Sequence, residues 1–524
     1  MGNSVLIAGA GPVGLSAAVA LSRAGVSIRI IDRLTAPTNQ SRAAIVHART
    51  LEHFERLDIV NDFLAAGVKV HGVCVYGPRN LLLIRPSLDH LPSPYPFMIG
   101  LEQFETERLL AGRLKEAGVS VEREVELVHF DDSGDRVSAR LRHPDGSEET
   151  ADFAYLVGCD GGQSTVRSVL GLQLDGETLD SIWITADVKI RWDRDPGEAI
   201  AYMSPDGIAF IAAMNDDRWR VIVNLPKTTK AEAGKLTLDD VQTIVRERFE
   251  TDVPLYDPVW ISPFGINTRL APTMHRGRVF LAGDAAHVHS PVGGQGMNTG
   301  IQDALNLSWK LALVLRGTAR PELLDSYNAE RHANARKLLA RVGPATKMVS
   351  LRHPVAIELR NWVMHVLGEL GFTHAMPRIV SMLDVGYPDS PIVAESHMSW
   401  LSRGPRAGER APDAEGLLRA GDPEPQRLFT LWSGDDRHQL LLFAEDNLSN
   451  IPASSLYSIT RIVRQGTPSE GVVVDAEGHA HEAYAVAKAG ACYLVRPDGI
   501  IAFRSKEADA EALHEYLAKW YHWS

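Results

Sequence analysis

Apolar residues open the chain in short blocks. Val5-Leu6-Ile7-Ala8 is an unbroken run, Gly9-Ala10-Gly11-Pro12-Val13-Gly14 follows, and Leu15–Ala24 is rich in Ala and Leu until Gly25. A short apolar run before turn residues predicts a buried strand, and an Ala/Leu stretch closed by glycine predicts a helix. Val26 to Ile31, ending in Asp32, completes a βαβ unit. Helices are predicted over Arg49–Leu57, Ile59–Ala66 and Glu102–Ala117, then strands around Val119–Val125, Val137–Leu141 and Ala154–Val157. The pattern then changes. Ser181–Ile190, Ala199–Ser204, Gly207–Met214 and Trp219–Leu225 are β-rich runs parted by Pro, Gly, Asp and Asn, the signature of an antiparallel sheet. A helix near 237–250 follows; residues 278–310 read as strand, loop and long helix, and a helical stretch runs to about 395. Leu401–Ala414 is a Gly/Pro/Arg/Asp-rich connector. Beyond it, Gln439–Ala444, Tyr457–Arg464 and Ala491–Phe503 predict strands and Asp509–Trp520 a terminal helix.

Composition narrows the class. At about 100–200 residues per domain, 524 residues predict about three domains. Hydrophobic residues are 45% and charged residues 23% of the chain, an ordinary globular balance. With 54 basic and 66 acidic residues, the formal charge of −12 leaves no broad basic field for nucleic acid or an anionic membrane. The uncharged stretch 1–22 is broken by Gly9, Gly11, Pro12 and Gly14 and has no basic n-region, so neither a signal peptide nor a span is expected. Cys74, Cys159 and Cys492 are scattered and odd in number, which argues against a disulfide framework or a CxxC site and fits a reducing cytoplasm.

Gly9-x-Gly11-x-x-Gly14 carries the first chemistry. The first glycine makes the tight turn, the second lets backbone approach a pyrophosphate, and the third packs helix on strand. The diphosphate would sit on the positive helix end, with Pro12 and Val13 in its first turn. Asp32, at the end of the second strand, is placed for a ribose hydroxyl, with Arg33 beside it. The motif alone does not choose between NAD and FAD.

Two further motifs do. One is Cys159-Asp160-Gly161-Gly162-Gln163-Ser164-Thr165-Val166-Arg167. The other runs from Arg278 through Gly283-Asp284-Ala285-Ala286-His287 to Pro291-Val292-Gly293-Gly294-Gln295-Gly296-Met297-Asn298 and Gln302-Asp303-Ala304-Leu305-Asn306. With the fingerprint, they resemble the class A flavoprotein monooxygenases, the para-hydroxybenzoate hydroxylase type, over residues 1–400. The resemblance implies bound FAD. Asp284 would accept from a ribityl hydroxyl, and Arg42 and Gln103 would touch the ribityl-diphosphate side. Pro291 would lie against the isoalloxazine ring, and the loop of Gly294, Gln295, Gly296, Met297 and Asn298 would face its pyrimidine edge. Asp160 and Arg167 are expected between FAD and a transient NADPH or NADH, unless they only build a turn.

The resemblance also implies the reaction. Flavin reduced by NAD(P)H reacts with O2 to a C4a-hydroperoxide, which hydroxylates a phenolic or polycyclic, polyketide-like aromatic substrate. Ring cleavage, epoxidation and oxidative decarboxylation stay open, as does a flavin-binding protein without turnover. A pocket group must favour the phenolate; His47, Arg49 and His287 are the candidates. Trp183, Tyr202, Phe210 and Trp219 belong to the predicted sheet over the substrate, and Leu81–Phe97 would add an apolar lip. No metal site is expected, because the pairs His287/His289 and His479/His481 lack a third ligand.

The connector at Pro405–Asp413 and Tyr493-Leu494-Val495-Arg496-Pro497-Asp498-Gly499 resemble the thioredoxin-like C-terminal domain of phenol and polyketide hydroxylases. Without CxxC, that domain would serve packing or subunit contacts. The expected fold is α/β. A Rossmann-like FAD-binding domain (1–75, 101–180 and 271–400) carries an inserted antiparallel β-sheet substrate domain (76–100 and 181–270), and 401–524 form the thioredoxin-like domain. Partners are a small aromatic substrate and O2; no nucleic acid or membrane is expected, and a homodimer is left open.

Overall fold

The N-terminal apolar run occupies the middle of a six-stranded sheet in the computed structural model. This structure describes all residues except 1–3, 39–42, 216, 226–227, 229, 250–252, 292, 350–352, 370–374, 397–402, 445–450, 487–489, 508 and 523–524. The strand order is His275–Arg276, Val279–Leu281, Tyr155–Gly158, Ser4–Ala8, Ser27–Asp32, Glu122–Arg123, and only the His275–Arg276 edge is antiparallel. Parallel strands are covered on both faces, which is why Val5 to Ala8 are all apolar and all buried. Helices α1 (Pro12–Arg23), α2 (Ala48–Arg56) and α3 (Gln103–Glu116) follow in the first third of the chain.

Two expectations change beside this sheet. The strand predicted at Val119–Val125 shrinks to Glu122–Arg123. The chain turns instead into a three-stranded antiparallel sheet of Glu126–Asp132, Val137–Arg142 and Glu148–Phe153. The last strand has the sequence EETADF and no apolar alternation to announce it. Ion pairs stand in its place: Arg29 to Glu149 and Arg142 to Glu148.

The second sheet has eight strands, ordered His287–Val288, Leu255–Leu270, Asp175–Ile190, Arg218–Leu225, Gly207–Ala213, Glu198–Ser204, Gly72–Tyr76, Leu82–Ile84. Pairing is antiparallel except between Glu198–Ser204 and Gly72–Tyr76. Gly72–Tyr76 lies mostly ahead of the expected boundary at 76, and Met98–Gly100 pairs instead with Ile45–Val46 and Val68–Val70. No separate strand is predicted over Leu255–Leu270, a segment whose Pro258, Pro263 and Gly265 are poor strand formers. It forms along the long partner Asp175–Ile190, with two register shifts absorbing the irregularity.

The two faces of this sheet differ. Ile184, Ala186 and Val188 pack on Val241, Val245 and Phe249 of helix α4 (Leu238–Phe249). The alternate residues lie on the other face. There the row Asp187–Arg220–Ala212–Ala199 runs across the strands, and Ala212 and Ala199 join the core of the N-terminal sheet. This second face is therefore the one that packs on the core of the N-terminal part.

Helix α5 (Gly296–Leu315) is buried over most of its length and packs on α1; helix α6 (Asp325–Val349) follows. The C-terminal part is a seven-stranded mixed sheet that already starts at Ala394–Ser396. The single strand expected over 491–503 is a hairpin, Ala491–Val495 and Ile501–Ser505, because Pro497, Asp498 and Gly499 turn the chain and Gly499 takes φ +74°. Among the described residues no helix is long and apolar enough to cross a membrane.

Candidate active site

The glycines of the first loop do three different jobs. Gly9 has φ +101°, and a Cβ there would stand 2.4 Å from the carbonyl oxygen of Cys159. At Gly14 a Cβ would stand 1.9 Å from the carbonyl oxygen of Gly9, so these two let backbone pack on backbone. Gly11, the N-cap of α1, has nothing within 4 Å of its Cβ position. Open space therefore faces the positive end of α1, which fits a diphosphate. Val13 points the other way: it fills the gap left by Gly283 and Gly300, whose Cβ positions lie 2.9 and 2.6 Å from its Cγ2.

Asp32 sits at the expected strand end, where its carboxylate accepts from the amides of Ala10 (2.7 Å) and Leu34 (2.8 Å). It thus shapes the loop, while Arg33 is exposed beside it. Gln103 accepts from the Ala43 amide (3.2 Å) and donates to Glu107 (2.9 Å). Arg42 lies outside the described residues. Asp160 accepts from the amides of Thr165 (2.7 Å) and Val166 (3.1 Å) at the start of a short helix, and burial pushes its carboxyl up. Arg167 makes no ion pair with Asp160. It donates to the carbonyls of Ala285 (2.9 Å) and Gly162 (2.8 Å), tying two motif loops together. Asp284 is exposed just past the strand Val279–Leu281, beside Gly283 at φ +61°.

Ahead of α5, the Gly294 amide donates to the Pro291 carbonyl (2.9 Å), and Gly293 and Gly294 take φ +86° and +64°. Pro291 is half-buried. The side chains of this loop are anchors. Gln295 donates to the Ile379 carbonyl (2.8 Å). Asn298 accepts from the His47 amide (2.9 Å) and Thr50 Oγ1 (2.8 Å) and donates to the carbonyls of Ile45 (2.9 Å) and Gly294 (3.0 Å). What the segment offers a ligand is its first-turn backbone, the N–H groups of Gly296 and Met297.

The three candidate phenol-activating groups each make contacts within the protein, although Nδ1 of His47 and of His287 has no partner among the described residues. His47 is buried, donates from Nε2 to the Gly293 carbonyl (2.9 Å), and is pushed down to about 4 by burial. It is a neutral loop anchor, not a cation. Arg49 donates to Glu52 (2.9 Å) and to the Asp498 carbonyl (2.7 Å), so it joins α2 to the C-terminal hairpin. His287 donates to Asp303 (2.7 Å). None of these contacts could be read from the sequence, where burial and partners are invisible.

Sequence reasoning also missed the set around Asp303. Its carboxylate accepts from the Gly283 amide (3.0 Å), His287 and Arg331 Nε (2.6 Å), and Arg331 donates to the Thr299 carbonyl (3.0 Å). It thus ties the Gly283 turn to the first turn of α5. Its place in Gln302-Asp303 was the available signal. On the sheet, Trp183 and Phe210 lie on the face turned away from α4, which packs on the N-terminal core. Tyr202 and Trp219 lie on the other, with Tyr202 4.1 Å from the Phe249 ring. Of the predicted lip, Leu81 and Leu82 are exposed while Leu88, Leu91, Tyr95 and Phe97 are core. Among the described residues no three His, Cys, Asp or Glu side chains could hold a metal.

Comparison with known proteins agrees with this geometry. Residues 3–342 match the FAD binding domain family, and residues 404–522 match the aromatic-ring hydroxylase C-terminal family. The chain is 35% identical to 6-methylpretetramide 4-monooxygenase of Streptomyces rimosus, covering 98% of this chain and 92% of that one. It is 33% identical to pentachlorophenol 4-monooxygenase of Sphingobium chlorophenolicum, covering 96% and 94%. The solved anhydrotetracycline hydroxylase of Streptomyces rimosus superposes with a TM-score of 0.77 at 29% identity over 99% of both chains. With an open cradle before α1, a backbone-lined loop before α5 and relatives matched from end to end, the chain belongs to the FAD-dependent aromatic-ring hydroxylases and is a flavin monooxygenase.

Proposed function

We propose that this enzyme hydroxylates a phenolic, fused-ring aromatic compound of polyketide type, taking electrons from a transiently bound NADPH or NADH and oxygen from O2. The observation that carries the reading is end-to-end similarity to hydroxylases of tetracycline precursors, together with an aromatic sheet face turned toward the N-terminal core. FAD, when bound, accepts hydride and activates oxygen.

The chain's own residues hold, orient and exclude water. Gly9, Gly11, Pro12, Val13 and Gly14 cradle the diphosphate at α1, flanked by Asp32, Arg33 and Gln103; the role of Arg42 is carried by the family resemblance alone. Gly283 and Asp284 meet the ribityl chain, and Asp160 and Arg167 hold the nearby turn where the nicotinamide cofactor passes. Pro291 and Gly294 to Asn298 border the isoalloxazine ring. There the first-turn amides of α5 stabilise negative charge at its pyrimidine edge. Trp183, Phe210 and Ile222 give the substrate an apolar wall.

The 401–524 segment is a thioredoxin-like domain used for packing. Its Cys492 is buried with the thiol pushed up to about 12, so it stays protonated and unreactive. Unpaired cysteines fit a reducing cytoplasm.

The test mixes FAD-loaded enzyme with NADPH or NADH and a panel of phenols from single-ring to tetracyclic. Oxidation of the nicotinamide should be stimulated by fused-ring phenols, with a product one oxygen heavier and the rings intact. Stimulation by no phenol, or ring-cleaved products, would contradict the reading.

A further inference from the structure

In the reading above, two separate segments hold the flavin: the turn at Gly283–Asp284 and the first turn of α5. One side chain fixes how far apart they stand. Arg331 of α6 is fully buried. Its Nε donates to Asp303 (2.6 Å), whose carboxylate also accepts from the Gly283 amide (3.0 Å). Its Nη2 donates to the Thr299 carbonyl of α5 (3.0 Å). A buried arginine–carboxylate pair contributes little net stability, because taking both charges out of water offsets their attraction. What the planar guanidinium does supply is direction, since its donors leave at fixed angles.

The third arm of Arg331 leads away from these turns. Its Nη1 donates to the Tyr387 hydroxyl (2.6 Å). The guanidinium groups of Arg331 and Arg496 stand 5.9 and 5.5 Å from the Tyr387 ring centroid. The Tyr387 amide donates to the Gly408 carbonyl (2.6 Å), and the Gly408 amide donates to the Ile501 carbonyl of the C-terminal hairpin (2.8 Å). That junction has no slack: a Cβ at Gly408 would meet the Tyr387 carbonyl oxygen at 2.5 Å and Pro388 Cα at 2.7 Å. The buried side chains of Tyr387, Arg331 and Asp303 therefore join the C-terminal sheet to both turns without a gap.

We infer that Arg331 is a positioning residue for the flavin, and that Tyr387 ties its position to the C-terminal domain. The inference rests on the reading above, in which the ribityl chain meets the Gly283 turn and the pyrimidine edge meets α5. Arg331 acts through the Asp303 carboxylate and the Thr299 carbonyl, not by touching the flavin. By holding the two turns at one spacing, it lets a single ligand be gripped at both places. Negative charge that develops at the pyrimidine edge on reduction depends on the first-turn amides of α5 more than the oxidised ring does. A loosened spacing therefore weakens binding of both flavin forms and weakens the reduced form more. The C-terminal domain, which has no CxxC of its own, thus acts on the redox step by bracing the helices that hold the cofactor.

The test compares Arg331→Lys and Tyr387→Phe with the unaltered full-length protein. Apoprotein unfolding temperature, the FAD dissociation constant and the flavin midpoint potential are measured for each. Arg331→Lys keeps a cation for Asp303 but loses the fork to Thr299 and Tyr387. It should bind oxidised FAD about tenfold more weakly and reduced FAD about tenfold more weakly again, which lowers the potential by about 30 mV. Tyr387→Phe should shift both quantities in the same direction by a smaller amount, with the fold kept. A lower unfolding temperature with the dissociation constant within about twofold and the potential unchanged overturns the inference, since Arg331 would then serve stability alone. Weaker FAD binding at an unchanged potential overturns it too. An effect of Arg331→Lys with none from Tyr387→Phe overturns the link to the C-terminal domain. Should Arg331→Lys fail to fold, Tyr387→Phe decides by the same limits. An unaltered protein that binds no FAD overturns the underlying reading instead.

Discussion

Asn306 on α5 donates a 2.9 Å hydrogen bond to the carboxylate of Asp498, which lies 192 residues later in the C-terminal hairpin. Asp498 also takes Arg496 (2.9 Å from Nε), and its carbonyl takes Arg49 of α2. Arg496 reaches Glu330 of α6 (2.6 and 2.9 Å), where Lys310 of α5 joins at 2.8 Å. All these side chains are buried. The turn Arg496–Gly499 therefore plugs the C-terminal sheet into the same helices whose N-terminal ends hold the flavin loop.

Cutting that plug should cost stability. Asp498→Ala leaves the Arg496 charge and the Asn306 amide buried and underpaired, and should destabilise by about 3–5 kcal/mol. Urea unfolding followed by circular dichroism checks this. Arg496→Met combined with Asp498→Leu should cost less than Asp498→Ala alone, because no lone charge is left behind.

Two glycines three residues apart should fail differently. Gly14→Ala drives a methyl into the Gly9 carbonyl and should yield little folded protein. Gly11→Val fills only the open cradle, so it should fold but purify largely colourless, and added FAD should bind at least tenfold more weakly. Flavin absorbance and circular dichroism on both variants separate the two.

Asp284 is exposed in this structure, so its removal should spare the fold. Asp284→Ala is expected to unfold within a few degrees of the unaltered apoprotein while retaining little FAD. Full FAD occupancy would remove Asp284 from the ribityl site.

Acid should destabilise the protein in two stages. Burial pushes His47 down to about 4 and His53 and His438 down to about 3, while the unfolded rings titrate near 6.5. Below pH 6.5 the unfolded chain binds protons that the folded one refuses, so stability falls as pH drops toward 4. The slope approaches about 1.4 kcal/mol per pH unit for each ring. Carboxyls held low by arginines, such as Glu52 and Glu330, add a second loss below about 4.5. Unfolding temperatures from pH 8 to pH 4 should show the first loss before these arginine-held carboxylates titrate.

How much of this was legible depended on what each residue had to satisfy. Val5 to Ala8 and the glycines at 9, 11 and 14 announced themselves, because burial on both faces and backbone approach restrict the residue type locally. Leu255–Leu270 hid behind its prolines and Glu148–Phe153 behind its charges, since a partner strand and ion pairs made up for poor propensity. His47 and Arg49 are candidates on chemistry alone, and the sequence could not show that they also anchor neighbouring segments, through residues up to 449 positions away.

The most direct test of the account is the origin of the oxygen in the product. FAD-loaded enzyme, reduced nicotinamide and a fused-ring phenol are incubated under 18O2 in ordinary water, and the product is weighed. The account predicts an intact ring system carrying one 18O atom. A product whose new oxygen comes from water, or no oxygenated product from any phenol under conditions where the flavin is reduced and reoxidised, would contradict it.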